Sequence, residues 1–481
     1  MKKRIIRGEI LHSDQTAVMD DKGNVKTFRE LAEEAEELVR YMEERSLLFL
    51  LCDHQTETLQ FLYEVLYMNY VPLLLPEDMD GGLLDDLVRV YRPQYIYCPK
   101  VYEAVRYGPD IKEWEAHRLI KTGMARYGIH GDVALLLSTS GTTGSPRLVK
   151  ISYENLYDNA EYACRHLEIQ SGHKGISPLP FYYTYGFSFC LWHWHCGASV
   201  LVTEASVLSR EFSDFFRKQK ANHFAATPYT YQMLQKIRFW DQRKLEYLHW
   251  AMSGGAQLSE HDQASLTAVL KEKFLIGYGQ TECTCIISAA GFMQETVKPR
   301  TIGRPFDNMK VMIDQNTGEL LVRSRSVCMG YAECPEHLAE SDRNQGLLHT
   351  GDVAYMDTDG YIYLKGRLTR YAKILGKRVS LDDVERHLKG RFPNMEFACL
   401  EAGQSLGVFY AGAGKNQEKD MLLLLDEKMK IPGRMVRCRY LEKIPRNNAG
   451  KIMYSRLKEL NDDKQNTENL SGTVQQGNTA G

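Results

Sequence analysis

Apolar side chains along the first two thirds of the chain recur in two patterns, and their alternation predicts the fold class. Thr27 followed by Glu30 is a capping-box signature, and Leu31, Ala35, Leu38, Val39 and Met42 then return on one face of a helix. The extended run Leu47 to Cys52 follows. A second helical stretch, Thr58 to Met68, leads to the proline-bounded apolar run Val71 to Leu75, and Leu83 to Val90 leads to Tyr95, Ile96 and Tyr97. Further apolar runs stand at Ala134 to Leu137, Ser199 to Val202 and Phe274 to Ile276. Helices alternating with short apolar strands indicate parallel sheets in an α/β protein.

After about residue 300 the texture changes. Val311 to Ile313, Glu319 to Val322 and Tyr361 to Leu364 are short and bounded by turn residues, which predicts a β-rich subdomain. A helix is expected to begin near Ser380, with Asp383 completing a second capping box, and short strands and helices continue to about Leu460. The stretch Asn461 to Gly481 is polar, rich in Gly and Asn, and reads as a disordered tail.

Charge narrows the function classes. Sixty Lys and Arg against 62 Asp and Glu leave a net charge of −2 over 481 residues, which argues against a chain built to coat nucleic acid or anionic membrane. The basic N-terminus has one apolar pair, Ile5 and Ile6, cut off by Arg7, too little for a signal-peptide core. Eleven cysteines are too dilute for a disulfide framework, so a reducing, cytoplasmic location is expected. One stretch stands apart: Gly175 to Thr203 runs 29 residues without Asp, Glu, Lys or Arg. That length raises a membrane helix. Pro178, Pro180, three Tyr, Gly186, His193 and His195 argue instead for a buried pocket wall, and no membrane span is expected.

The most informative segment is Leu135 to Lys150. An apolar strand empties into Ser138, Thr139, Ser140, Gly141, Thr142, Thr143, Gly144 and Ser145, closed by Pro146 and Arg147. Glycines admit an anion close to backbone N–H groups and hydroxyls add donors without bulk, so the loop suits phosphate, although composition alone also fits a mobile surface turn. It is no Walker loop, because no Lys follows Gly144, and a P-loop kinase is thereby disfavoured.

Thr139 to Pro146 resembles the T-S-G-T-T-G-x-P-K signature of the adenylate-forming (AMP-binding) enzymes, which include acyl-CoA synthetases, adenylation domains of nonribosomal peptide synthesis and luciferases. Arg147 stands where that family usually has Lys. Further elements follow in the family's order. Ser253, Gly254, Gly255 and Ala256 resemble its adenine-side turn. Gly277-Tyr278-Gly279-Gln280-Thr281-Glu282 resembles its Y-G-x-T-E element, implying Tyr278 stacked on adenine, Gln280 in the nucleotide site, Thr281 at the α-phosphate and Glu282 on Mg²⁺. His349 to Asp352 resembles the ribose-binding element, with Asp352 accepting the ribose hydroxyls. Gly366 and Arg367 resemble the start of the hinge motif, Arg367 also directed at ribose, with Thr369 where the family usually has an acidic residue or Lys. Ile444 to Ile452 resembles the loop of the catalytic lysine, here Lys451.

The resemblance spans about Thr27 to Leu457 and implies a large N-terminal AMP-binding domain, residues 1–366, of parallel-rich αβα sheets plus a small β subdomain. A small mobile α+β lid, residues 367–460, and a tail, residues 461–481, complete it. It implies activation of a carboxylic acid with ATP and Mg²⁺ as acyl-AMP, then transfer to the thiol of coenzyme A. After lid rotation Lys373 and Gly376 would line the thiol path. Leu179 to Gly186 resembles the acyl-pocket element, with Tyr183, Gly186, Thr227, Gly277 and Gly279 facing substrate. Gly186 stands where amino-acid activators place Asp, so an apolar or aryl acid is expected over an α-amino acid. Two alternatives stay open: an enzyme that loads the phosphopantetheine thiol of an acyl or peptidyl carrier protein, and a catalytically silent nucleotide binder, suggested by Arg147 and Thr369. His193, His195 and Cys196, like Cys283 and Cys285, lack the spacing of a zinc site and read as core.

Overall fold

The computed structural model describes residues 4–102, 105–138, 147–240, 245–291, 298–374, 377–403, 405–412, 417–447 and 450–461. Two large sheets dominate. The first has nine strands with a parallel centre, in the spatial order Trp250–Ser253, His223–Ala226, Lys174–Ile176, Ser199–Val202 and Thr16–Asp20, and Phe274–Gln280 lies parallel beside Trp250–Ser253. Antiparallel strands close both edges. The second has eight strands around a parallel core of Val133–Ser138, Val71–Pro76, Leu47–Cys52 and Tyr95–Pro99. Every residue of Leu47–Cys52 is buried, as the unbroken apolar run requires of a strand covered on both faces.

Helices follow their capping signals. Thr27 accepts from Glu30 N and Glu30 returns to Thr27, starting the helix Phe28–Glu37. Val39 departs from the expected face and is exposed: the helix tightens to a 3₁₀ turn at Leu38–Arg40, which shifts the phase of that residue out of the core. Ser380 caps Leu381–Arg391, but the Asp383 carboxylate turns to Arg386 instead of closing a reciprocal box.

The charge-free stretch holds the helix Thr184–His195, buried along its whole length, and among the described residues no helix is long and apolar enough to cross a membrane. Cys164, on the helix Tyr153–His166, and Cys196, just past the end of Thr184–His195, are joined as a disulfide, a bridge that the expectation of a reducing location did not include.

The β-rich region is a four-stranded antiparallel sheet of Lys310–Ile313, Glu319–Arg323, Leu347–Met356 and Ile362–Arg367. Beyond it, the hairpin Tyr371–Ile374 with Lys377–Ser380 and the sheet Met395–Ala402, Ser405–Gly412, Val436–Tyr440 pack around apolar clusters of their own, which include Val384, Leu388, Val408 and Leu425. Residues 461–481 lie outside the described residues except for Asn461, so the expected tail is not described.

Candidate active site

The C-terminal ends of the parallel strands in the nine-stranded sheet meet the four-stranded sheet at one carboxylate. Asp352 is buried on Leu347–Met356, directly across the ladder from Arg367, whose Nε lies 3.0 Å from Asp352 Oδ1. Tyr278, at the end of Phe274–Gln280, donates its hydroxyl to Asp352 Oδ2 at 2.7 Å. Gln280 Nε2 donates to the same oxygen at 2.7 Å and to Thr350 O at 2.9 Å. Burial first, and then the Asp352 charge, push the Tyr278 phenol far above its ordinary pKa, so it stays a donor at neutral pH.

Past Gln280 the chain makes a 3₁₀ turn, Thr281–Cys283. Thr281 Oγ1 lies 2.6 Å from Thr184 Oγ1, and Glu282 Oε1 accepts the Tyr331 hydroxyl at 2.8 Å. Arg147 lays its guanidinium 3.6 Å from the centroid of the Tyr331 ring and pairs with Glu333 at 3.4 Å. Tyr331 carried no motif in the sequence, because its role comes from the strand pair that sets Tyr331 opposite Val149.

Lys451 reaches this site from the C-terminal part of the chain. Its backbone N donates to Asn447 Oδ1 at 2.9 Å and Asn447 N returns to Lys451 O at 2.9 Å, a small turn that projects the side chain inward. Nζ stands 4.8 Å from the Tyr183 ring centroid, and Cε lies 3.8 Å from where a Cβ on Gly255 would be. Burial, reinforced by the Arg367 charge, lowers the ammonium to a pKa of about 8.

Around Lys451 the chain leaves a cavity of about 60 Å³. Its polar side holds Tyr183, Gly254, Gly255, Tyr278, Gln280 and Thr281, and its apolar side holds Tyr185, Trp192, Met252, Cys285 and Ile286, with Gly277 and Gly279 between them. Trp192 and Met252 had no motif to mark them, and Tyr185 lies inside the Leu179 to Gly186 element but is not among the residues expected there to face substrate. A larger cavity of about 620 Å³ is lined by Lys443 to Asn447 and Gly450 of the same loop, together with His54, Ser177, Glu204 and Tyr229.

Several sequence-predicted residues fall elsewhere. Gly186 is on the helix Thr184–His195, but it does not line the cavity: a Cβ there would stand 2.2 Å from Pro180 O and 2.8 Å from Leu179 O, pointing into backbone. Thr227 also lies outside the cavity wall, its methyl 3.9 Å from the Gly255 Cβ direction. Ala256 is exposed. Lys373 is on the hairpin strand Tyr371–Ile374, its backbone N donating to Glu401 Oε1 at 2.8 Å, and it does not line this cavity. Thr139, Ser140, Gly141, Thr142, Thr143, Gly144 and Gly376 lie outside the described residues. His195 bonds Ile5 O and Glu161 with its two ring nitrogens, and Cys196 is in the disulfide, so this pair does not converge on a metal position.

Glu282 and the Thr281 hydroxyl are hard oxygen donors beside a half-buried cation, a donor set suited to Mg²⁺ with phosphate. A half-buried lysine facing an aromatic-and-glycine wall, with a fully held carboxylate beyond it, suits an anionic substrate joined to a nucleotide.

Known proteins share this organisation. A family model described as AMP-binding enzyme matches residues 103–332. The chain is 27% identical over 354 residues to 4-coumarate--CoA ligase-like 2 of Arabidopsis thaliana, covering 69% of this chain and 62% of that protein. It is 27% identical over 361 residues to luciferin 4-monooxygenase of Luciola mingrelica, covering 68% and 63%. The chain thus spans less than two thirds of the length of these relatives. Among solved structures, ATP-bound MatB from Rhodopseudomonas palustris superposes with a TM-score of 0.77 at 19% identity over 93% of this chain and 96% of that one. The anthranilate CoA ligase AuaEII in complex with anthranoyl-AMP does so with 0.75 at 17% identity over 94% and 95%. These solved structures carry the fold, and residues 103–332 match the AMP-binding enzyme family, with the curated relatives similar to this chain at 27% identity.

Proposed function

We propose that the protein activates an apolar or aryl carboxylic acid as its acyl-adenylate and transfers the acyl group to the thiol of coenzyme A. The observation that carries this reading is the convergence of Lys451 from the C-terminal region with Tyr183, Tyr278 and Thr281 on one cavity.

In the first half-reaction a carboxylate oxygen attacks the α-phosphorus of ATP. The acyl–oxygen–phosphorus link forms as the bond to the bridging oxygen breaks, and pyrophosphate leaves. Lys451 supplies positive charge where two anions approach, and a charge fixed in place before the reaction stabilises the developing negative charge. Asp352 accepts the ribose hydroxyls, Arg367 and Gln280 hold that carboxylate, and the Tyr278 ring offers its face to adenine. Glu282 and Thr281 hold Mg²⁺, which when bound neutralises phosphate charge. In the second half-reaction the thiol sulfur bonds to the acyl carbon, AMP leaves, and the thiol proton passes to solvent. Residues 367–460 act as the mobile unit, exchanging Lys451 for the hairpin that carries Lys373.

The acid class follows from the lining. Trp192, Met252, Cys285 and Ile286 are apolar, and among the described residues Lys451 is the one charged side chain on the cavity. An α-ammonium has no partner there, so the lining favours an acid with an apolar or aryl body.

The test is carboxylate-dependent ATP–pyrophosphate exchange over short aliphatic, aryl, long-chain and amino acids, followed by a choice of coenzyme A or carrier-bound phosphopantetheine. Exchange with aryl or apolar acids and thioester formation on coenzyme A is expected. Absence of exchange with any acid would favour a silent nucleotide binder, and transfer only to a carrier would replace coenzyme A as acceptor.

A further inference from the structure

Three histidines far apart in sequence meet at the end of the nine-stranded sheet opposite the active site. His173 precedes the strand Lys174–Ile176, His223 opens His223–Ala226, and His249 precedes Trp250–Ser253. These strands are neighbours and parallel, with Gly175 paired to His223 and His223 paired to Trp250, so their starts lie side by side. One ring nitrogen from each histidine lies within 4.8 Å of the others, and ring centroids are 5.0, 4.6 and 5.8 Å apart.

The central ring is fixed and carries an open lone pair. His223 is fully buried and stacks on Trp250 with centroids 4.5 Å apart and planes 8° from parallel. His193 Nδ1 lies 2.7 Å from Phe189 O, which can only accept, so Nδ1 carries the proton and His193 Nε2 is an acceptor. His223 Nδ1, 2.9 Å from that Nε2, is therefore the donor, and the neutral His223 ring keeps its lone pair on Nε2. Among the described residues that buried Nε2 has no hydrogen-bond partner. A backbone carbonyl that fixes the tautomer of a histidine through a second group is the support that metal-binding imidazoles use. The chain also clears space for it: a Cβ on Gly175 would stand 2.2 Å from His193 Nε2.

We propose that His173, His223 and His249 bind a borderline divalent transition-metal cation, Zn²⁺ foremost. Three neutral imidazoles suit such an ion, whereas Mg²⁺ and Ca²⁺ demand oxygen. Burial, with the neighbouring histidines, holds His173 and His223 below the ordinary imidazole range, and burial with the Lys273 charge does the same for His249, although Glu168 opposes it. Tetrahedral bonds of 2.0–2.1 Å place ligand nitrogens about 3.3 Å apart, so the ring nitrogens must close in. The movement falls to His173 and His249, which are half-buried and exposed. His173 gives up the 3.2 Å contact its Nδ1 accepts from Gln170 N, and solvent completes the coordination. A cation there ties the starts of three adjacent strands whose other ends carry Ser177, Thr227 and Gly254, about 13 Å away for a four-residue strand.

The experiment titrates chelator-treated, full-length protein with Zn²⁺ by calorimetry and with Co²⁺ by visible absorption. One Zn²⁺ per chain and a Co²⁺ ligand-field spectrum are expected. His249→Ala and His173→Ala should each weaken Zn²⁺ at least ~10-fold and abolish the Co²⁺ bands. His261→Ala, on an exposed residue elsewhere, should change neither. Both outer variants leave the buried His223 in place, so folding is preserved. No stoichiometric binding, or binding unchanged in both variants, would overturn the site and leave the cluster as aromatic packing.

Discussion

Lys451 Nζ stands 4.8 Å from the centroid of the Tyr183 ring, and this contact joins the C-terminal part of the chain to the pocket wall. Burial and Arg367 lower the lysine to about 8, so at neutral pH it is still a cation, but one that loses its proton easily. The form the proposed chemistry uses is the cation. The kcat/KM of pyrophosphate exchange, which reports the free enzyme, should therefore fall as pH rises through about 8. Lys451→Ala should lower exchange at least ~10²-fold and remove that limb, while conversion of preformed acyl-AMP to thioester persists. In Lys451→Arg any residual exchange should lack the limb, because guanidinium does not deprotonate in this range. Exchange unchanged in Lys451→Ala would remove the residue from the mechanism.

Asp352 receives three donors at once, from Tyr278, Gln280 and Arg367. Bonds to a charged group contribute about 1.5–3 kcal/mol each, so Asp352→Asn should weaken ATP binding by roughly 10- to 100-fold. Gln280→Leu removes one of the positioning bonds and leaves the carboxylate, so a loss of roughly 5-fold is expected. Calorimetric titration with ATP in the absence of acid measures both, and equal losses would mean that Gln280 contacts the nucleotide itself.

Glu282 is held by Tyr331, and Tyr331 is covered by Arg147. Arg147→Lys loses the planar stacking that a guanidinium makes with an aromatic face. Tyr331→Phe leaves that stacking and removes only the hydroxyl. If Tyr331 orients the carboxylate proposed to bind Mg²⁺, its loss should raise the Mg²⁺ concentration for half-maximal exchange about 10-fold with little change in the KM for acid. A change in the acid KM alone would assign Tyr331 to the substrate pocket.

Gly186 separates packing from specificity. A Cβ 2.2 Å from Pro180 O has no room, because the neighbour is backbone. Gly186→Ala should lower stability by about 1–3 kcal/mol, read as a drop in Tm, and Gly186→Asp should do so more strongly without creating amino-acid activation. A well-folded Gly186→Asp with altered acid preference would return this position to the pocket.

The strands were legible where apolar residues run without interruption, as in Leu47–Cys52, and a helix start was legible where Thr27 and Glu30 cap it. The grouping of Tyr278, Thr281 and Glu282 was legible because the three are local in sequence. Side-chain direction was not: Gly186 sits in the segment expected to wall the acyl pocket, but its missing side chain points at backbone, and Val39 turns outward with a change of helix type. Tyr331 and the three strand-start histidines were invisible for another reason. They are joined by β-pairing across long separations, which leaves no spacing to read.

His117 lies fully buried between Asp53 at 2.8 Å and Glu57 at 2.7 Å, remote in sequence from every catalytic motif. Burial alone would depress the imidazole, but the hydrogen bonds and charges of the two carboxylates outweigh it and raise His117 to about 9. Burial likewise opposes ionisation of Asp53 and Glu57, and the bonds from His117, with those from Thr58 and Gln55 to Asp53 and from Ala116 to Glu57, hold both below their ordinary values. The signs then follow. The histidine binds its proton more tightly when folded, so its contribution is complete below about pH 6.5 and is lost as pH rises toward 9. The carboxylates bind protons less tightly when folded, so theirs is present above their ordinary range near pH 4 and is lost in acid. The cluster should stabilise the protein most near pH 5 to 6.5. His117→Gln leaves two buried carboxylates without a cation, a defect that costs about 3–5 kcal/mol when one partner of a buried pair is removed. Urea unfolding of both proteins across pH 5 to 9.5 should show the largest deficit at the acidic end of that range, shrinking by on the order of 3 kcal/mol toward pH 9.5 as the wild-type histidine deprotonates. A deficit independent of pH would mean that His117 contributes shape and hydrogen bonds but no charge.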